Sequence, residues 1–162
     1  MSALEVHGLE ETGARFDAYP AALQAALGAK ASELAAALAD LVKNDKLSGA
    51  VLNTRSGALS DSIAASVTAD ADGFLASVGS EGDVKYAAIQ EYGGKTSAHE
   101  ILPAKGDVLA FITGDGRHFA RRVEHPGSLI PERSYLRSAL ADMEDEIVTA
   151  LADAAAEAWE RA

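Results

Sequence analysis

The chain has 162 residues, a net charge of -11 and a pI near 4.7, with 48% apolar residues and no cysteine. The length fits one domain with a real core. The acidity argues against general affinity for nucleic acid or anionic membranes, and the missing cysteines exclude disulfides, thiolate chemistry and zinc-finger sites. No apolar run approaches a membrane span, and the N-terminus lacks the basic-then-apolar pattern of a signal peptide. Much of the apolar content is alanine, which buries little area, so the expected core is thin and suited to completion by neighbouring subunits.

Residues 1–15 are polar and without periodicity, and predict an extended arm. Over 19–45, Leu23, Leu27, Leu34, Leu38 and Leu41 recur at three-, four- and seven-residue spacings, the pattern of an amphipathic helix. Pro20 suits its first turn, where a missing N–H costs little. A loop follows over 46–57, then a short helical turn over 58–62. Ile63, Val67 and the alanines between them alternate as a half-buried strand does, and Asp70-Ala-Asp-Gly73 turns the chain into a return strand, 74–78.

The run Tyr86-Ala-Ala-Ile-Gln-Glu-Tyr-Gly-Gly94 predicts one or two helical turns stopped by a double glycine. Residues 98–102 form a strand ended by Pro103. Residues 108–113 and 118–123 form a second hairpin around Gly114-Asp-Gly116. His125-Pro-Gly-Ser128 closes the sheet region. Pro131 then opens a final helix to about 160, with Leu136, Leu140, Met143, Ile147 and Leu151 on one stripe and Trp159 anchoring its end. The predicted fold is a single α+β domain, a mainly antiparallel sheet with a long N-terminal and a long C-terminal helix packed on one face.

Chemistry is scarce along this chain. His7, His99, His118 and His125 are far apart in sequence, and none has the four-residue helical spacing of a two-histidine metal site. Ser56, Ser60 and Ser62 sit in no nucleophile elbow, and capping explains them better. Gly79-Ser-Glu-Gly82 and Gly114-Asp-Gly116 are too short and too acidic to cradle phosphate. No catalytic residue, metal or cofactor is expected. One charge feature stands out: Arg117, Arg121, Arg122, Arg133 and Arg137 lie between the second hairpin and a strongly acidic last helix. They read either as a solvated edge with intramolecular pairs or as a seam where one subunit's arginines meet the next subunit's carboxylates.

Three segments in order carry a resemblance: Asn53-Thr-Arg-Ser-Gly-Ala-Leu-Ser-Asp-Ser-Ile63, then Tyr86–Gly94, then His125-Pro-Gly-Ser-Leu-Ile-Pro-Glu-Arg-Ser-Tyr-Leu136. With Ile101-Leu-Pro-Ala-Lys105 and the hairpin after it, they resemble the tail-completion or neck proteins of tailed bacteriophages, the virion-morphogenesis family. The likeness covers residues 50–140. The family's Arg-x-Gly-x-Leu falls on Arg55, Gly57 and Leu59. Its Tyr-Ala…Glu-Tyr-Gly falls on Tyr86, Ala87, Glu91, Tyr92 and Gly93, and its Pro-x-Arg-x-aromatic-Leu on Pro131, Arg133, Tyr135 and Leu136. Tyr135 stands where phenylalanine is usual.

The resemblance implies a structural virion protein with no enzymatic residues. It would form a homo-oligomeric ring, a hexamer, at the neck or upper tail, assembled in the host cytoplasm. Its neighbours would be the head–tail connector and tail-tube or tail-terminator proteins, with DNA passing through the channel without specific binding and no membrane contact. A tail-terminator ring is the rival within that class, and a monomeric ligand-binding domain or small hydrolase using the cleft between sheet and helices is the rival outside it. On the residues themselves, Leu59, Ile63, Tyr86 and Leu136 are expected in the core, Gly57 and Gly93 at turns, and Arg55, Glu91 and Arg133 in polar contacts within or between subunits, with Glu91 the one to test at an interface.

Overall fold

The computed structural model describes residues 8–70 and 73–162. It is an α+β fold with long first and last helices and small antiparallel sheets. In chain order the elements are α1 (Leu9–Leu41), a π-helical continuation Val42–Ala50, α2 (Ala58–Ser62), β1 (Ile63–Ala69), β2 (Phe74–Ser80), α3 (Ala87–Tyr92), β3 (Gly94–Lys95), β4 (His99–Ile101), β5 (Leu109–Thr113), β6 (Gly116–Ala120), β7 (Val123–His125), β8 (Leu129–Ile130) and α4 (Leu136–Arg161). The chain divides into two compact units where the sequence predicted one domain. The first takes the described residues up to Ala87 together with residues 134–162, and the second is residues 88–133.

In the first unit α1 and α4 run antiparallel. Near the start of α1, the Arg15 guanidinium donates to the Trp159 carbonyl at 2.9 Å, and the Phe16 and Tyr19 rings lie 5.1 and 5.2 Å from the Trp159 ring. At the other end, Lys46 pairs with Asp142 near the start of α4. The expected arm is corrected here: residues 9–15 belong to α1, while residues 1–7 lie outside the described residues. Glu10 and Glu11 favour this start because carboxylates suit the positive end of a helix. Pro20 is therefore inside the helix rather than in its first turn. It removes the N–H that would bond the Phe16 carbonyl, and the aromatic contacts of Phe16 and Tyr19 with Trp159 hold the two sides of that gap in place. The predicted loop over 46–57 begins later as well, since the chain stays helical up to Gly49, whose φ of 137° breaks the helix.

The core of this unit gathers Val42, Leu47, Leu52, Ile63, Tyr135 and Ala139. Among the described residues, seven of the fourteen buried apolar side chains are alanine, so the core is thin in the way composition implied. Ile63 is buried as expected, with Leu59 and Leu136 half-buried against the cluster. Tyr86 is not in the core: it is 43% exposed, and Tyr135 takes the aromatic place instead at 1% exposed, its hydroxyl donating to the Ala87 carbonyl at 3.4 Å.

Strands also differ from the expected single sheet. They form four separate two-stranded antiparallel ladders, β1–β2, β3–β8, β4–β7 and β5–β6. The first lies against α1 in the first unit, and the other three belong to the second unit. Period-two alternation marks a strand without saying which edges meet, and each of these ribbons closes on one partner. Pro131 does not open the last helix. Residues 129 and 130 are spent pairing with Lys95 and Gly94, and α4 begins only at Leu136.

Candidate functional site

The second unit is built around the stretch that begins with α3. Helix α3 ends at Tyr92, and Gly93 takes φ 68°, which an L-residue adopts only under strain. A Cβ there would stand 2.7 Å from the Glu132 nitrogen and 3.0 Å from the Ile130 carbonyl oxygen. The motif's glycine is thus the point where two backbones meet, fixed further by the Arg133 N–H donating to the Gln90 carbonyl at 2.9 Å. Gly57 likewise has φ 81°, and its carbonyl accepts from the Asp61 N–H to start α2.

A second close approach escaped sequence reasoning. Gly127 has φ 85°, and a Cβ on it would come within 2.1 Å of the Thr96 carbonyl oxygen. Its N–H donates to His125 Nδ1 at 3.0 Å, while Ser128 N–H donates to the Thr96 hydroxyl at 2.7 Å. His125 in turn pairs with His99 across β4–β7, the rings stacked 5.0 Å apart. Sequence distance hid this pair, which only the ladder brings together. With Nδ1 of His125 accepting a backbone N–H, the pair reads as turn architecture, and among the described residues no group of three ligating side chains gathers.

Glu91 is corrected as an interface residue. It is 2% exposed and engaged within the fold, so it cannot meet another chain directly. Arg55, Pro131 and Arg133 are exposed, and Tyr92 is 65% exposed. Of the five arginines, Arg117, Arg121, Arg122 and Arg133 fall in the second unit and Arg137 in the first. Arg122, just before β7, meets Glu100 of β4 at 3.3 Å.

The second unit's most distinctive property is what it leaves open. Among its 46 residues the only buried side chain is Glu91, with no apolar residue in that class. Tyr92, Leu102, Ile112, Phe119 and Leu129 are each more than 60% exposed. Exposed apolar side chains on two-stranded ribbons with free edges are the chemistry of a docking surface, since free N–H and C=O rows and apolar area both gain from a partner.

The first unit holds a different feature, an apolar cavity of about 510 Å³ between α1, β2 and α4. Leu34, Leu38, Phe74, Val78, Ile147 and Leu151 are among its walls, and no titratable side chain lines it. It can hold apolar matter but offers no group for acid–base or nucleophilic work. Among the described residues no helix is long and apolar enough to cross a membrane. Compared with family models, with curated proteins and with solved structures, the chain gives no match to any.

Proposed function

We propose that this chain is a structural protein of a tailed-phage virion, a non-enzymatic ring subunit that completes the tail and joins it to the head. The observation that carries the reading is the 88–133 unit, which fully buries no apolar side chain and leaves Ile112, Phe119 and Leu129 more than 60% exposed on two-stranded ribbons. A surface of that kind gains stability through assembly. The ordered motifs around Arg55, Tyr86–Gly94 and 125–136 supply the likeness to neck proteins, and Gly57 and Gly93 occupy turns that need glycine. In this reading six copies form the ring, neighboured by the connector and by tail-tube or terminator proteins. At -11 per chain the ring carries about -66, so DNA slides through a channel that repels it.

Deleting the gene from its parent phage tests the role. Filled heads beside intact, unattached tails support joining. Overlong, irregular tails assign the chain to tail termination instead, and normal virions refute both. The apolar cavity favours one reading from another class, a monomeric binding domain for an apolar ligand. Saturable binding of a fatty acid to a persistently monomeric chain would support it.

A further inference from the structure

The β5–β6 ribbon has two unlike faces. Its register sets Ala110 opposite Phe119 and Ile112 opposite Arg117, which places these four on one face, and Val108 and Arg121 continue the alternation at the open end. All six are exposed, Ile112 at 77% and Phe119 at 63%. The other face is half covered: Leu109, His118 and Ala120 are partly buried, and the Phe111 and His118 rings stack 5.8 Å apart. The outer face is thus apolar in the middle and flanked by two arginines that meet no carboxylate among the described residues.

Charge divides unevenly along the chain. Residues 88–133 carry six carboxylates and six lysines or arginines, so the whole net charge of -11 belongs to the rest. Helix α4 alone has seven carboxylates against two arginines. On its outer side Ala141, Asp145, Val148 and Ala152 fall at spacings of four, three and four, with Glu144 beside them, all exposed and Val148 at 64%. This strip mirrors the ribbon: apolar along its centre, with two carboxylates that pair with nothing among the described residues.

We propose that the outer face of the β5–β6 ribbon docks on the acidic outer strip of α4 in a second copy of this chain, which names the subunit contact within the ring reading and rests on it. Ile112 and Phe119 cover Val148, and Arg117 and Arg121 meet Glu144 and Asp145. Arginine suits this place because its planar fork grips a carboxylate at two points. The two surfaces are different patches of one chain, so the contact is head-to-tail and closes into a ring or continues as a filament.

A charge swap measured by sedimentation of the full chain tests the contact. The wild type is expected to associate with rising concentration at low ionic strength and to dissociate as salt screens the pairs. Arg117→Glu/Arg121→Glu and, separately, Glu144→Lys/Asp145→Lys are each expected to weaken self-association at least about tenfold, since like charges then face each other. All four positions are exposed, so circular dichroism is expected unchanged for both. Mixed one to one, the two variants recover association, because the acidic ribbon of one fits the basic strip of the other. Variants that associate like the wild type, a mixture that stays dissociated, or a wild type that is monomeric at every concentration and salt would each overturn the proposal. The deletion phenotype is independent of this result: unattached tails with a failed swap reject the contact alone, and normal virions with a successful swap reject the neck role alone.

Discussion

Replacing Pro20 with alanine separates two accounts of the first helix. If the helix began at Pro20, the ring would sit in a first turn where no N–H is needed, and the change would be close to neutral. In the structure α1 begins at Leu9, so Pro20 occupies the twelfth helical position and leaves the Phe16 carbonyl without its intrahelical donor. Alanine restores that hydrogen bond and removes the clash of the ring with the same carbonyl. Interior proline costs about 3 kcal/mol relative to alanine, and the aromatic contacts beside it do not change with the substitution. Pro20→Ala is therefore expected to stabilise the first unit by about 2–3 kcal/mol. For a chain of this length that raises the midpoint of thermal unfolding by roughly 5–10 °C. Urea unfolding followed by helical dichroism gives the free energy directly. A change within about 0.5 kcal/mol would refute the continuous helix and return the helix start to Pro20.

Trp159→Ala removes both aromatic contacts with α1 and the indole face under the Arg15 guanidinium, leaving the backbone carbonyl that Arg15 donates to, and is expected to cost about 2 kcal/mol in urea unfolding, with hydrogen exchange accelerated over residues 9–19. Gly127→Ala forces φ 85° on an alanine and drives its Cβ into the Thr96 carbonyl, a loss of about 2–4 kcal/mol that limited proteolysis would read as cleavage within residues 94–130 while the long helices persist. Lys46, nearly buried, has its pKa raised above the ordinary 10.5, chiefly by its hydrogen bond with Asp142. A raised folded pKa means that the pair's contribution is full below pH 10.5 and fades as pH climbs through the folded value. Asp142→Asn is accordingly expected to lose about 1 kcal/mol at neutral pH, a modest figure because Asp142 is more than half exposed, and to differ less from the wild type in alkali.

Local signals were legible where the chain's own neighbours decide the structure. The β1–β2 hairpin follows from strict alternation around Asp70 and Gly73, where the Asp70 N–H donates to the Gly73 carbonyl at 3.0 Å. The end of α3 at a double glycine follows from the positive φ that Gly93 and Gly94 both adopt. What depends on distant partners was not legible. Residues 9–15 look polar and aperiodic, yet Arg15 and Phe16 are held by Trp159, 144 and 143 positions away in the chain. Glu91 has the composition of a surface residue and is buried, because helix periodicity fixes a side chain's direction without fixing what lies there. The same holds for the sheet: the strands were found, but their pairing into separate ribbons depends on contacts such as Gly127 on Thr96 that no spacing rule encodes.

The second unit gives the proposed assembly role a physical argument beside the likeness. A segment of 46 residues is near the size where a fold usually needs disulfides, a structural metal or a partner. The chain has no cysteine, and among the described residues no three ligating side chains come together. Ile112, Phe119 and Leu129 are 77%, 63% and 81% exposed. Backbone ladders and glycine turns set the shape of these ribbons but remove little apolar area from water. In the proposed assembly, burial against another chain would add roughly 25 cal/mol for each Å² covered. In the proposed contact, a ribbon carrying arginines beside that apolar area, on a chain whose acidity lies elsewhere, would favour a partner whose surface is acidic, and the chain's own last helix meets that requirement.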